Sequence, residues 1–316
     1  MSTIIPIPSP KAELQASYDW CEKLTKDRAK NFYYGLSLLP EGRRLAACAF
    51  YAFCRDCDDI SDDEAGQDSA RRLEQWKQRI TADPKDCNWP GILAFRHAVE
   101  KYAIPKRFLY ELIEGTSMDL QERRYQTFQD TYDYCYHVAS TVGLVCVHIF
   151  GFSEADQSEV YRMAEMQGIA FQLTNILRDV SEDCSMQRCY LPGDLLKRFG
   201  VSAEDIAQKR DTPGMRALYR HMSELIESYY RQCAALPRYI YPESRPCLRA
   251  MTMIYHGIAK QLAELGPKAL HQRARLSTPR KLACVFWACF RGGFELFISH
   301  MQQLRQYFFG SHDSSN

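Results

Sequence analysis

Asp58 and Asp62 stand four residues apart in Arg55-Asp-Cys-Asp-Asp-Ile-Ser-Asp-Asp63. Asp179 and Asp183 stand four apart in Gln172-Leu-Thr-Asn-Ile-Leu-Arg-Asp-Val-Ser-Glu-Asp183. On a helix each pair projects from one face, about one turn apart. Like charges at that spacing repel, so the pairs cost stability unless a cation sits between them. Mg²⁺ takes oxygen ligands, keeps part of its water shell and bridges one or two carboxylates to substrate phosphates. Two such helices facing each other would make a site for a diphosphate.

Each motif has a plainer reading. The first could be a solvated acidic helix end, since charge runs usually face water. Its flank Cys48-Ala-Phe-Tyr-Ala-Phe-Cys54 is apolar, however. Its acidic end also falls near the helix C-terminus, where the dipole disfavours negative charge. The second could belong to an interhelical salt-bridge network. Yet Gln172, Asn175, Asp179 and Asp183 form one polar stripe on an otherwise apolar segment, and buried polar groups need partners. Arg178 lies beside the stripe, with a guanidinium fork suited to phosphate oxygens. The loop Arg188-Cys-Tyr190-Leu-Pro192 follows, placed to close over phosphates. Such a site would make diphosphate a leaving group and leave an allylic carbocation. A carbocation needs a dry pocket with electron-rich aromatic walls. Phe32, Tyr33, Tyr51, Tyr134, Tyr136, Phe171 and Tyr255 are candidates, each also explicable as core.

The elements that must position these groups are helical. Hydrophobic periodicity predicts helices over 11–26, 30–37, 41–63, 67–81, 90–102, 105–118, 128–150, 154–183, 213–235, 244–264 and 279–307. Pro and Gly punctuate the breaks. Ser153-Glu-Ala-Asp156 fits an N-capping position. No long run has strand period, no repeat or Gly/Ser linker is visible, and one all-α domain over 11–308 is the economical reading. Residues 1–10 are expected to be flexible and 309–316 a disordered tail. At 316 residues, 46% hydrophobic and 25% charged, the composition is that of a globular protein. A net charge of +1 gives no argument for nucleic acid. Thirteen irregularly spaced cysteines read as reduced thiols in a cytoplasmic protein. Cys54 and Cys57 lack a second pair for zinc, and His137 and His148 read as core histidines. No signal peptide is seen, and no apolar run reaches the ~20 residues of a membrane span.

Several segments resemble the squalene/phytoene synthase family. Tyr51-Ala-Phe-Cys-Arg55 with Asp58-x-x-x-Asp62 is similar to its first aspartate-rich motif, and Gln172 to Asp183 to its second. Tyr134-Cys-Tyr-His-Val-Ala-Ser-Thr-Val-Gly143 and Arg188-Cys-Tyr190-Leu-Pro192 resemble two further family segments. Asn31 departs from the serine many members carry before Phe32. The resemblance covers roughly residues 20–290. It implies an all-α isoprenoid-synthase fold, a helical bundle around a central cavity. It implies head-to-head condensation of two prenyl diphosphates through a cyclopropylcarbinyl diphosphate. By that resemblance Asp58, Asp62, Asp179 and Asp183 hold two or three Mg²⁺ ions, with Asn175 in support. Arg55, Arg178, Tyr255 and Arg273 contact diphosphates, and Gln172, Arg188 and Tyr190 join the substrate site. Tyr51 and Tyr134 lie near the reacting carbons, with Arg178 in the catalytic set, and Phe32 walls the pocket.

Geranylgeranyl diphosphate, giving phytoene, is the preferred substrate reading. Leu36 and Cys48 fall where a bulkier aromatic side chain could plug a C20 tunnel. Farnesyl diphosphate, giving presqualene diphosphate or squalene, is the alternative, and only squalene would require NADPH. No Gly-x-Gly-x-x-Gly follows a strand, so no Rossmann nicotinamide site is read. Head-to-tail synthases, terpene cyclases and a catalytically inactive scaffold on the same fold are rivals. Four intact aspartates argue against the scaffold. A greasy substrate suggests peripheral membrane contact, with Arg291 and Phe308-Phe309 as candidates. Oligomeric state is open.

Overall fold

The computed structural model describes residues 10–63, 68–120 and 125–290. Its helices are α1 (Pro10–Arg28), α2 (Lys30–Leu36), α3 (Glu41–Ser61), α4 (Ser69–Arg79), α5 (Ile92–Lys101), α6 (Lys106–Met118) and α7 (Phe128–Cys135). There follow α8 (Thr141–Phe150), α9 (Gln157–Ser185), α10 (Gly193–Phe199), α11 (Ala203–Ala207), α12 (Pro213–Cys233), α13 (Arg245–Leu265) and α14 (Thr278–Phe290). Among the described residues β-pairing is confined to one bridge between Phe152 and Ile240. None of the described helices is long and apolar enough to cross a membrane.

Helix α9 organises the bundle. Its N-terminal half supplies Val160, Met163 and Ala164 to a core shared with α1, α3, α5, α6 and α8. Its C-terminal half supplies Ile169, Ala170, Leu173, Ile176, Leu177 and Val180 to a second core with α7, α12 and α13. One 29-residue helix thus ties both cores together.

Gly168 makes the closest crossing possible. A Cβ there would lie 2.4 Å from the Ser140 Cα, so only glycine lets α9 meet this chain. Residues 136–140 form a π turn between α7 and α8, a break that often marks functional segments. Ser140 Oγ donates to Glu165 O at 2.9 Å and Thr141 Oγ1 to His137 O at 2.6 Å.

Three expectations need correction. The stretch 128–150 is two helices joined by the π turn, not one. The stretch between Pro192 and Pro213 holds α10 and α11, each too short to show a period in the sequence. Ser153 makes no side-chain cap bond, because it precedes a 3₁₀ turn rather than α9. Capping boxes occur instead at Thr127–Asp130 and Ser202–Asp205. His137 and His148 are satisfied as expected, by Asp133 O and the Tyr161 hydroxyl. The described cysteines are all free thiols. Residues 291–307 of the last expected helix, Arg291, Phe308-Phe309 and both terminal segments through residue 9 and from residue 309 lie outside the described residues.

Candidate active site

Both acidic motifs lie at helix C-termini. α3 ends at Ser61 with Asp62 as its C-cap, and α9 ends at Ser185. The orphan carbonyls there add to the negative field of the carboxylates. A bound cation would relieve both.

The two ends are bridged. Arg188, in the loop after α9, donates to Asp62 at 3.2 Å. Asp119, the C-cap of α6, lies between them and was not apparent from the sequence. Its carboxylate accepts from the Tyr190 hydroxyl at 2.8 Å and the Tyr134 hydroxyl at 3.2 Å. Burial raises its pKa, while Tyr190, Arg188 and Tyr134 oppose the rise and Asp62 adds to it. A lone aspartate after Met118 carries no motif; only tertiary placement identifies it.

The carboxylates are not equivalent. Asp58 is open to solvent at one side. Protein nevertheless encloses it closely enough that desolvation, with Asp62 and Asp119 adding and Arg55 opposing, pushes its pKa up to about 7. Asp183 also rises to about 7, through burial and then the charges of Asp179 and Glu182. Asp179, by contrast, is clamped. Arg178 Nε donates to it at 2.9 Å and Arg273 Nη2 lies at 3.0 Å. Arg273 also reaches Glu182 at 3.2 Å.

Of the four buried side-chain polar atoms without a protein partner among the described residues, two belong to this site. They are the Arg55 Nε–H and the Asn175 Oδ1. Arg55 spends its other arm on Asp59, and the Asn175 amide donates to Gln172 at 3.3 Å. A buried donor suits a phosphate oxygen, and a buried amide oxygen suits a cation or a bound water. Among the described residues, no three carboxylate, histidine or cysteine side chains converge closely enough to hold a metal ion alone. This donor set fits Mg²⁺ that draws its remaining ligands from water and diphosphate.

Aromatic rings form two groups around the charges. Tyr134 stacks on Tyr190 with centroids 4.7 Å apart, and Tyr125 completes that cluster at 5.4 Å from Tyr134. Phe171 stacks on Tyr255 at 4.3 Å, with Phe32 5.7 Å from Tyr255. The Asn175 side chain lies close enough to Tyr255 to influence its hydroxyl, which joins this group to the polar stripe. Tyr51, half-buried, feels burial first, then Arg55 and Asp58. Two candidates have structural duties instead: Tyr33 donates to Glu22 at 2.9 Å and Tyr136 to Glu111 at 3.0 Å. Leu36 and Cys48 are both buried in the first core, with Cys48 close to Cys21 of α1.

The sequence profile of the squalene/phytoene synthase family matches residues 25–280. The chain is 33% identical over 265 residues to the 15-cis-phytoene synthase of Enterobacter agglomerans, covering 81% of this chain and 89% of that one. It is 32% identical over 286 residues to the 15-cis-phytoene synthase of Synechococcus elongatus, covering 86% and 92%. Its fold superposes on a crystal structure of a dehydrosqualene synthase in complex with ligand, with TM-score 0.77 and 27% identity over 89% of this chain and 98% of that one. The squalene synthase HpnC of Alicyclobacillus acidocaldarius gives TM-score 0.67 at 25% identity, over 84% and 94%. With its isoprenoid-synthase fold and both aspartate-rich helices in place, the chain belongs to the squalene/phytoene synthase family.

Proposed function

We propose that the protein joins two geranylgeranyl diphosphates head to head, through a cyclopropylcarbinyl diphosphate, to give phytoene. The observation that carries this reading is the meeting of two acidic helix ends around Asp119, with Arg188 spanning them. The phytoene synthases among its relatives support the C20 substrate.

In this reading Asp58, Asp62, Asp179 and Asp183, with Asn175 Oδ1, would hold Mg²⁺. The ions would supply neutralisation of the diphosphates, making them leaving groups. Arg55 offers its free Nε–H to one phosphate oxygen, and Arg178 and Arg273 stand ready to exchange Asp179 for phosphate. Gln172 orients Asn175. Tyr134 has its pKa raised well above the ordinary value by burial and then by Asp119 and Tyr190. It therefore stays protonated, a neutral hydroxyl and π face beside the developing cation. Tyr190 and Tyr125 hold that ring and exclude water. Phe32, Phe171 and Tyr255 wall the second aromatic region, with Tyr51 facing the first motif. A location in the cytoplasm, with transient contact at a membrane surface to collect substrate, accords with the apolar substrate.

The test is a product assay on purified protein with Mg²⁺, with farnesyl and geranylgeranyl diphosphate supplied separately, each with and without NADPH. Phytoene from the C20 substrate is expected. Squalene or presqualene diphosphate from the C15 substrate would replace the product assignment, and no consumption of either would remove the catalytic one.

A further inference from the structure

Cys184 is the penultimate residue of α9, and Cys189 lies in the loop that follows. The helix ends in a Schellman closure. Arg188 N–H donates to Asp183 O at 2.9 Å and Gln187 N–H to Cys184 O at 3.1 Å, the paired bonds of that motif. Gln187 takes the left-handed conformation, φ 60°, and turns the chain back on itself. The reversal brings Cys189 back toward Cys184, so that the two thiols come within range of each other. Both are half-buried. The neighbouring thiols Cys21 and Cys48, by contrast, are both fully buried at 0% exposure. Beside Cys184 opens a groove of about 440 Å³ whose walls include Arg178, Lys209, His271 and Arg273. Arg178 and Arg273 are shared there with Asp179 and Glu182, and Lys209 adds the further cation that favours approach of an anionic reagent.

We infer that Cys184 and Cys189 form a redox modification site. An anionic low-molecular-weight disulfide of the glutathione type converts them to an intramolecular disulfide that locks the Arg188–Tyr190 loop and slows turnover. One protein sulfur attacks as thiolate; the reagent's S–S bond breaks and glutathione thiolate leaves. The second protein thiol then attacks the mixed disulfide and closes the Cys184–Cys189 bond. Its proton goes to the second departing glutathione sulfur. The protein loses two electrons and two protons, and the reagent disulfide becomes two thiols.

The loop is the consequential element. Arg188 occupies Asp62 and Tyr190 backs Tyr134. Arg188 covers one oxygen of Asp62, so retreat of the loop opens the whole carboxylate to a cation, and a covalent bond at the base of the loop opposes that retreat. Only this effect on turnover rests on the proposed reaction.

The experiment treats the full-length protein with glutathione disulfide, then follows non-reducing peptide mapping and product formation together. We expect a peptide linking Cys184 to Cys189 and a fall in turnover of at least about fivefold, reversed by dithiothreitol. Cys189→Ser should keep basal turnover and resist the reagent; Cys184→Ala serves as the second variant if the first misfolds. Glutathione retained on either cysteine, a link elsewhere, or no link would overturn the site. A linked protein with undiminished turnover would overturn the loop lock. The map decides the bond even if the reduced protein forms no product, so the two readings fail separately.

Discussion

The two acidic motifs share a spacing but not a construction. In each, one carboxylate is held by arginine and the other is left with a raised pKa. At the end of α9 the arginines are built in: Arg178 comes from the same helix and Arg273 from the segment between α13 and α14, and Asp179 is only 14% exposed. At the end of α3 the partner of Asp62 is borrowed. Arg188 arrives from the loop of the other motif, and Asp62 stays 55% exposed. The second motif is therefore preorganised, whereas the first depends on where a loop rests. Preorganised charges cost no rearrangement at the moment of reaction; a loop-borne charge can control access.

Removing a charge from either motif should be the harshest break. Asp58→Asn and Asp179→Asn should each lower turnover by roughly 10³-fold or more, with circular dichroism unchanged. Near-wild-type turnover from either purified variant would sink the metal assignment. Tyr134→Phe should reduce kcat by about tenfold or more while leaving KM within about twofold; steady-state kinetics decide it, and an unchanged kcat removes Tyr134 from the chemistry.

The asymmetry itself is tested by the arginines. Arg188→Gln should weaken activation by Mg²⁺ yet leave Tm nearly unchanged, since an exposed ion pair contributes roughly 0–1 kcal/mol. Arg178→Gln should lower both activity and Tm, because it frees a partly buried Asp179. Equal Tm values for the two variants would erase the proposed difference.

The smallest effect concerns pH. Asp58 and Asp183 have folded-state pKa values of about 7, above the unfolded carboxylate value of roughly 4. The folded state binds these protons more tightly, so their stabilisation is full below about pH 4 and is lost as pH rises through about 7. The metal-free protein should thus melt at higher temperature at pH 5.5 than at pH 8 from this contribution. Asp183→Asn should flatten the trend, and Mg²⁺ should raise Tm more at pH 8 than at pH 5.5. A calorimetric pH series that shows no such convergence would argue against the raised carboxylates.

The polar stripe of α9 and the acid run of α3 were legible because helix periodicity turns spacing into direction. Gln172, Asn175, Asp179 and Asp183 occupy one face whatever surrounds them. Asp119 was not legible, because one aspartate after α6 carries no spacing at all; its meaning comes from Tyr134, Tyr190 and Arg188, which are distant in the chain. The π turn was hidden for a related reason: one extra residue per turn over 136–140 barely disturbs an apolar pattern. Arg273 joins Asp179 through a segment with no regular element of its own, so its placement also had to wait for the fold. Tyr33 and Tyr136 show the limit from the other side, since composition cannot tell a wall of a pocket from a ring whose hydroxyl is taken by Glu22 or Glu111.

The contact of Gly168 with Ser140 sets α9 at a fixed distance from the chain that carries Tyr134. Backbone meets backbone there, with no side chain between them to swell or shrink. The spacing of the two segments is consequently set by covalent geometry rather than by the size of any side chain. A Cβ at position 168 would force α9 away from Ser140 as a body, and the stripe that ends in Asp179 and Asp183 would move with it.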